Sequence, residues 1–182
     1  MKIETKQIQL NDGRTALLRT PMPEDATALL EYLRVTAGET DFLIRYPEEC
    51  TMTLEQEETY LQNSLQNPDS IMIFCEVEGK LAGSCNLSRH NRLKTKHRAS
   101  IGIALLREFW GQGIGTAMFE EIHRLAKSWE IEQLELEVFA DNHRAIALYK
   151  KMGFHIASEH PNAFKRKDGR YVNEYLMIKE VV

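Results

Sequence analysis

Two short stretches carry the residue types that could do chemistry. In Leu105–Thr116 an apolar run that begins near Ser100 gives way to Gly111, Gly113 and Gly115, and an amphipathic segment follows. A glycine turn that opens a helix leaves the first backbone N–H groups without intrahelical acceptors, and such groups at the positive end of the helix dipole hold phosphate. In Asn142–Phe154 a helix entered at an asparagine carries Tyr149. From Asn142 to Tyr149 the chain takes seven steps of about 100°, which return to within about 20° of the start and put both residues on one face. One side chain can anchor a ligand through its amide. The other is a phenol, protonated at neutral pH, that can give a proton.

These groups need elements to hold them. Lys6–Leu10 and Thr15–Arg19 read as a hairpin around Asn11-Asp12-Gly13, whose Asp-Gly pair supplies positive φ angles, and Pro21 and Pro23 end it. Ala28, Leu29, Leu33 and Val35 have helical spacing over Glu24–Ala37, with Gly38 as the stop. Thr53 and Gln56 make a capping box for a second helix, with Tyr60, Leu61 and Leu65 as its apolar stripe and Asn67-Pro68 as its end. Ile71–Val77 and Lys80–Leu87 flank Glu78-Gly79 as another hairpin, and a further strand runs from Ala99 to Leu105. The glycine turn then opens a helix to Ser128 that buries Ile114, Met118, Ile122 and Leu125. Gln133–Phe139 is a strand. After the Tyr149 helix, Phe154–His160 and Tyr171–Glu180 close the chain around a polar Asp168-Gly169 loop. The order β-β-α-α-β-β-β-α-β-α-β-β describes a mixed sheet flanked by helices, an α/β chain.

In that order the residues resemble the GNAT N-acetyltransferases, whose cofactor motif is Q/R-x-x-G-x-G/A followed by a helix. Gly113 and Gly115 fill the two small positions, and Asn142, Ala145, Tyr149, Gly153 and Phe154 match the later Asn-x-x-Ala-x-x-x-Tyr-x-x-x-Gly-Phe pattern. Trp110 departs from it, standing where the family usually has Gln or Arg, which leaves phosphate to the backbone amides with help from Arg107. The resemblance implies an α/β GNAT fold, a mixed six- to seven-stranded sheet with four helices, as one acetyltransferase domain over residues 1–182. It implies acetyl-CoA as cosubstrate and a primary amine as acceptor, either a small molecule or a protein N-terminus or lysine, attacking directly through a tetrahedral intermediate.

Carried onto this chain, the resemblance assigns the phosphates to Trp110, Gly111, Gln112, Gly113, Ile114, Gly115 and Thr116. The pantetheine arm would pair with Ile103–Leu105, Asn142 would fix its far side, and Tyr149 would be the general acid. Many relatives carry a Glu where Ser100 stands, so the base must be found elsewhere: Glu137 on the next strand, Glu76, a water relay through Ser100, or an amine deprotonated in bulk. In the loop between the first two helices, Glu39, Asp41, Glu48 and Glu49 could attract a cationic amine. A non-catalytic acetyl-CoA-binding regulator on the same fold is the rival reading; Tyr149 tells against it, and the missing Glu tells slightly in its favour. Dimers are common in the family, which allows a homodimer here.

Composition narrows the classes. With 182 residues, 43% of them hydrophobic, one well-packed domain is expected. A net charge of −4 argues against a nucleic-acid partner. The basic run Arg89–Arg98 lacks interleaved aromatics and reads as a solvated hairpin turn. The odd set Cys50, Cys75 and Cys85 has no C-x-x-C pair and fits a reducing cytoplasm. No histidine spacing suggests a metal, and no apolar run or leader suggests a membrane. A dinucleotide fold is excluded because a third glycine is missing, Met118 standing in its place, and there is no Gly-Lys-Ser/Thr for a P-loop.

Overall fold

A computed structural model describes residues 2–181. Its contacts divide into two compact units, Met1–Ser88 with Gly102–Met118, and Arg89–Ile101 with Phe119–Val182. The elements are β1 (Lys6–Gln9), β2 (Thr15–Arg19), α1 (Ala26–Glu39), α2 (Leu54–Gln66), β3 (Ser70–Val77), β4 (Lys80–Arg89), β5 (Arg98–Leu105), α3 (Ile114–Ser128), β6 (Gln133–Phe139), α4 (His143–Lys151), β7 (His155–Lys165) and β8 (Tyr171–Glu180). The mixed α/β order is the expected one, with eight strands among the described residues rather than six or seven.

In the first unit, β1-β2-β3-β4 form an antiparallel run. Glu78 and Gly79, at φ 51° and 79°, make the two-residue turn between β3 and β4, where paired positive φ angles match the twist of the strands. Ile73, Phe74 and Cys75 are each 0% exposed, so β3 is covered on both faces. The capping box of α2 is present, with Thr53 Oγ1 accepting from the Gln56 amide and Gln56 Oε1 from that of Thr53.

Two expectations about the helices fail. Gly38 does not stop α1, which runs on to Glu39; a helical glycine costs only about 1 kcal/mol, which packing of the neighbouring Ala37 offsets. The buried face is Ala26, Leu29, Tyr32, Thr36 and Ala37, while Ala28 and Val35 face water. On α2, Leu61 is buried but Tyr60 is exposed, and the other buried residue is Glu57.

Glu57 is 1% exposed, and its Oε2 has no hydrogen-bond partner. Burial pushes its carboxyl above the usual range, and the charge of Arg45 offsets part of that. The folded state therefore binds this proton more tightly than the unfolded chain does. The resulting stability is present at low pH and is lost as pH rises through the folded value. Glu57→Gln is expected to raise the urea midpoint at pH 7, with the gain shrinking as pH falls below the ordinary carboxylate value. Urea titrations at the two pH values check this, and equal midpoints at pH 7 would contradict it.

In the second unit the strand order is β5-β6-β8-β7, with β5 parallel to β6 through Arg98↔Gln133, Ala99↔Leu134 and Ser100↔Glu135. Strand β8 lies antiparallel to both β6 and β7. Within this unit α3 buries Phe119, Ile122 and Leu125. Strand β7 continues past His160 to Lys165, through a register shift that absorbs Pro161 and Asn162. As an edge strand it can take a proline and a bulge, both of which also discourage pairing with another chain. No helix among the described residues is long and apolar enough to cross a membrane.

Candidate active site

The glycine turn lies in the first unit and is held from both sides. After β5 the chain makes a short 3-10 turn, Arg107–Phe109, whose Phe109 is 2% exposed. Gly111 and Gly113 have φ 78° and 90°, a conformation that L side chains avoid. The β1–β2 turn clamps them: Asn11 Nδ2 donates to the Gly111 carbonyl at 2.7 Å, and the Asn11 amide to that of Gln112 at 3.2 Å. Gln112 Oε1 accepts from the Asp12 amide at 3.2 Å, so its side chain holds the turn. A Cβ on Gly113 would meet only Asn11 Oδ1 at 3.7 Å, so glycine serves the backbone angle there and the space beside it is open. Helix α3 then begins with the Ala117 amide donating to the Gly113 carbonyl. The amides of Ile114, Gly115 and Thr116 have no acceptor within the helix, which is the arrangement an anion needs.

Trp110 and Arg107 are occupied. The indole Nε1 donates to the Leu105 carbonyl at 2.9 Å, which ties the end of β5 to the turn. Arg107 lies over the Trp110 ring at 5.5 Å and donates to the Glu39 carbonyl, while its own amide donates to Glu39 Oε2 at 2.7 Å. One residue earlier, the Ala104 carbonyl accepts from Tyr32 Oη at 2.6 Å, and that hydroxyl accepts from the Ser84 amide at 3.1 Å. Sequence reasoning missed Tyr32. Its signal was a tyrosine one turn from Leu29 on the core face. Tyr32→Phe leaves the Ser84 amide without this acceptor, and a thermal or denaturant unfolding experiment is expected to show a loss of about 1 to 3 kcal/mol.

The second unit holds Asn142, Tyr149 and Glu137. Asn142 is the N-cap of α4, with Oδ1 accepting from the Ala145 amide at 3.2 Å. That cap consumes its oxygen and leaves its Nδ2 donor. Tyr149 is 7% exposed, and its ring meets Phe119 edge-on at 5.5 Å. Burial pushes its phenol up to about 12. Glu137 is exposed on β6, and its charge, after burial, helps to push the Glu174 carboxyl upward.

The other acidic candidates divide. Glu76 is ion-paired to Arg19 at 2.8 Å. Glu39 is held by Arg107, and Glu49 Oε2 accepts from the Tyr46 amide at 2.7 Å. Ser100 is not isolated. Its hydroxyl donates to Glu135 Oε1 at 3.2 Å and lies 3.2 Å from His90 Nε2, which is itself 2.7 Å from Glu135 Oε1. In the sequence His90 belongs to the basic run read as a solvated turn, and Glu135 carries no signal of its own. They meet Ser100 only because the β4–β5 turn and the parallel β6 bring them there.

Residues 37–154 match the model of the acetyltransferase (GNAT) family. An L-amino acid N-acetyltransferase, AaaT, of Escherichia coli (strain K12) is 29% identical over 109 residues, 59% of this chain and 66% of that protein, just short of two thirds of its length. A crystal structure of a GNAT-family acetyltransferase from Streptococcus pneumoniae superposes with a TM-score of 0.85 at 28% identity, covering 91% of this chain and 99% of that one. A ribosomal-protein-alanine N-acetyltransferase from Brucella melitensis shares the fold, with a TM-score of 0.77 at 21% identity over 90% of this chain and 98% of that one.

Proposed function

The chain belongs to the acetyltransferase (GNAT) family, and from that premise we propose that it transfers the acetyl group of acetyl-CoA to a primary amine. The observation that carries the reading is the glycine turn, held in positive φ by Asn11 and Gln112, with the open amides of Ile114, Gly115 and Thr116 behind it. Bound acetyl-CoA supplies an acyl carbonyl activated by its thioester. The turn residues Gly111–Thr116 hold its phosphates, each charge–helix contact being worth about 0.3 to 1 kcal/mol. Backbone groups of Ile103–Leu105 pair with its extended arm, with the Leu105 carbonyl reserved for Trp110. Asn142 Nδ2 donates to the same arm, and the Tyr149 hydroxyl gives the departing sulfur a proton.

Direct attack by the amine suits this chain better than a covalent relay through Cys75 or Cys85. Cys75 and Cys85 are buried, and burial, with the nearby Glu76 charge, pushes the Cys75 thiol up to about 12, far from a working thiolate. All three cysteines are free, which supports a reducing, cytoplasmic setting. The acceptor is a small molecule or a protein N-terminus or lysine, and the L-amino acid named for the Escherichia coli relative supports a small amine. Calorimetric titration with acetyl-CoA tests the cofactor half of the reading: saturable one-site binding is expected, and no binding would end it.

A further inference from the structure

We propose that His90 is the proton acceptor for the amine, with Glu135 and Ser100 as the residues that position it; this rests on the transferase reading above. The cluster sits at the β5 position where the resemblance calls for a carboxylate base and the chain has Ser100. A carboxylate can only accept hydrogen bonds, so the ring nitrogen 2.7 Å from Glu135 Oε1, Nε2, is the one that carries hydrogen. Ser100 donates to that same oxygen at 3.2 Å, which fixes the carboxylate, and Arg98 Nη1 lies 3.4 Å from the other oxygen, Oε2. The neutral ring therefore keeps its lone pair on Nδ1, and the His90 side chain is 31% exposed. The same geometry rules out Ser100 as a nucleophile activated by His90, because the nitrogen beside its hydroxyl is the protonated one.

The step is a proton transfer. An N–H bond of the acceptor breaks, its electron pair stays on the amine nitrogen, and a new N–H bond forms at His90 Nδ1, giving an imidazolium that releases the proton to water. The charged groups facing His90 are Glu135 on β6 and Arg98 on β5, whose carbonyl also accepts from the His90 amide at 3.1 Å.

Two measurements test this. The first is nitrogen-15 NMR of the imidazole in the intact protein, which should show the Nε2–H tautomer, and Glu135→Leu should mix the tautomers. A Nδ1–H ring in the unaltered protein would overturn the proposal without reference to turnover. The second compares His90→Gln with the unaltered protein across pH. On a strongly basic amine the variant should lose about 10²- to 10⁴-fold in kcat/KM near neutral pH and recover as pH rises toward the amine's own value, while a weakly basic amine, already neutral, should be acetylated nearly equally by both. Equal loss on both amines, or no loss, would overturn it. An unaltered protein that acetylates no amine would instead remove the transferase reading, and this proposal with it.

Discussion

Tyr149→Phe is expected to lose about 10²- to 10⁴-fold in kcat while acetyl-CoA affinity stays within about threefold, because the ring remains and only the proton donor goes. The ring packs against Phe119 and Phe154, and among the described residues its hydroxyl has no hydrogen-bond partner. Removing the hydroxyl should therefore cost little stability. With the phenol pushed up to about 12, stepwise transfer to a thiolate of ordinary value near 8.5 is uphill by on the order of 5 kcal/mol. Proton transfer must accompany cleavage of the carbon–sulfur bond. It also follows that Tyr149 stays protonated through pH 7 to 9 and puts no basic limb on kcat there. Steady-state kinetics with calorimetry on the variant check both halves, and unchanged turnover would remove Tyr149 from the mechanism.

Gly113→Asp should fold and fail to hold the cofactor. Aspartate is among the few residues that tolerate positive φ, and at a helix start its carboxylate can accept the amides of the first turn. The added charge then sits where phosphate must sit. Losing two or three helix-terminus contacts and adding repulsion should weaken acetyl-CoA binding about 10- to 100-fold. Gly113→Asn shares the backbone strain without the charge and should bind closer to the unaltered protein. If calorimetry shows both variants binding normally while their melting temperatures hold, the phosphates are not on this turn.

Features that rest on local rules were legible in the sequence. The capping box at Thr53, the Glu78-Gly79 turn and the Ile114, Met118, Ile122, Leu125 face of α3 each depend on neighbours within a few residues, and each is present. What was hidden depends on tertiary partners. Gly38 obeys the rule for a helix end, yet packing of the surrounding turn carries α1 past it. Tyr32 counts as polar in a periodicity argument, but its ring is core and its hydroxyl bonds the end of β5. Trp110 was visible only as a departure, and its bond to the Leu105 carbonyl could not be read from spacing. The His90–Ser100–Glu135 contacts join residues from three segments, and no motif spans them.

Transfer itself is the most direct test. The protein is mixed with acetyl-CoA and a panel of amino acids and short peptides with free N-termini, and free thiol and acetylated amine are measured together. The account predicts that at least one amine yields thiol and N-acetyl product in equal amounts, and only when that amine is present. Tight acetyl-CoA binding with no acetylated product from any amine would contradict it and leave a cofactor-binding regulator in its place.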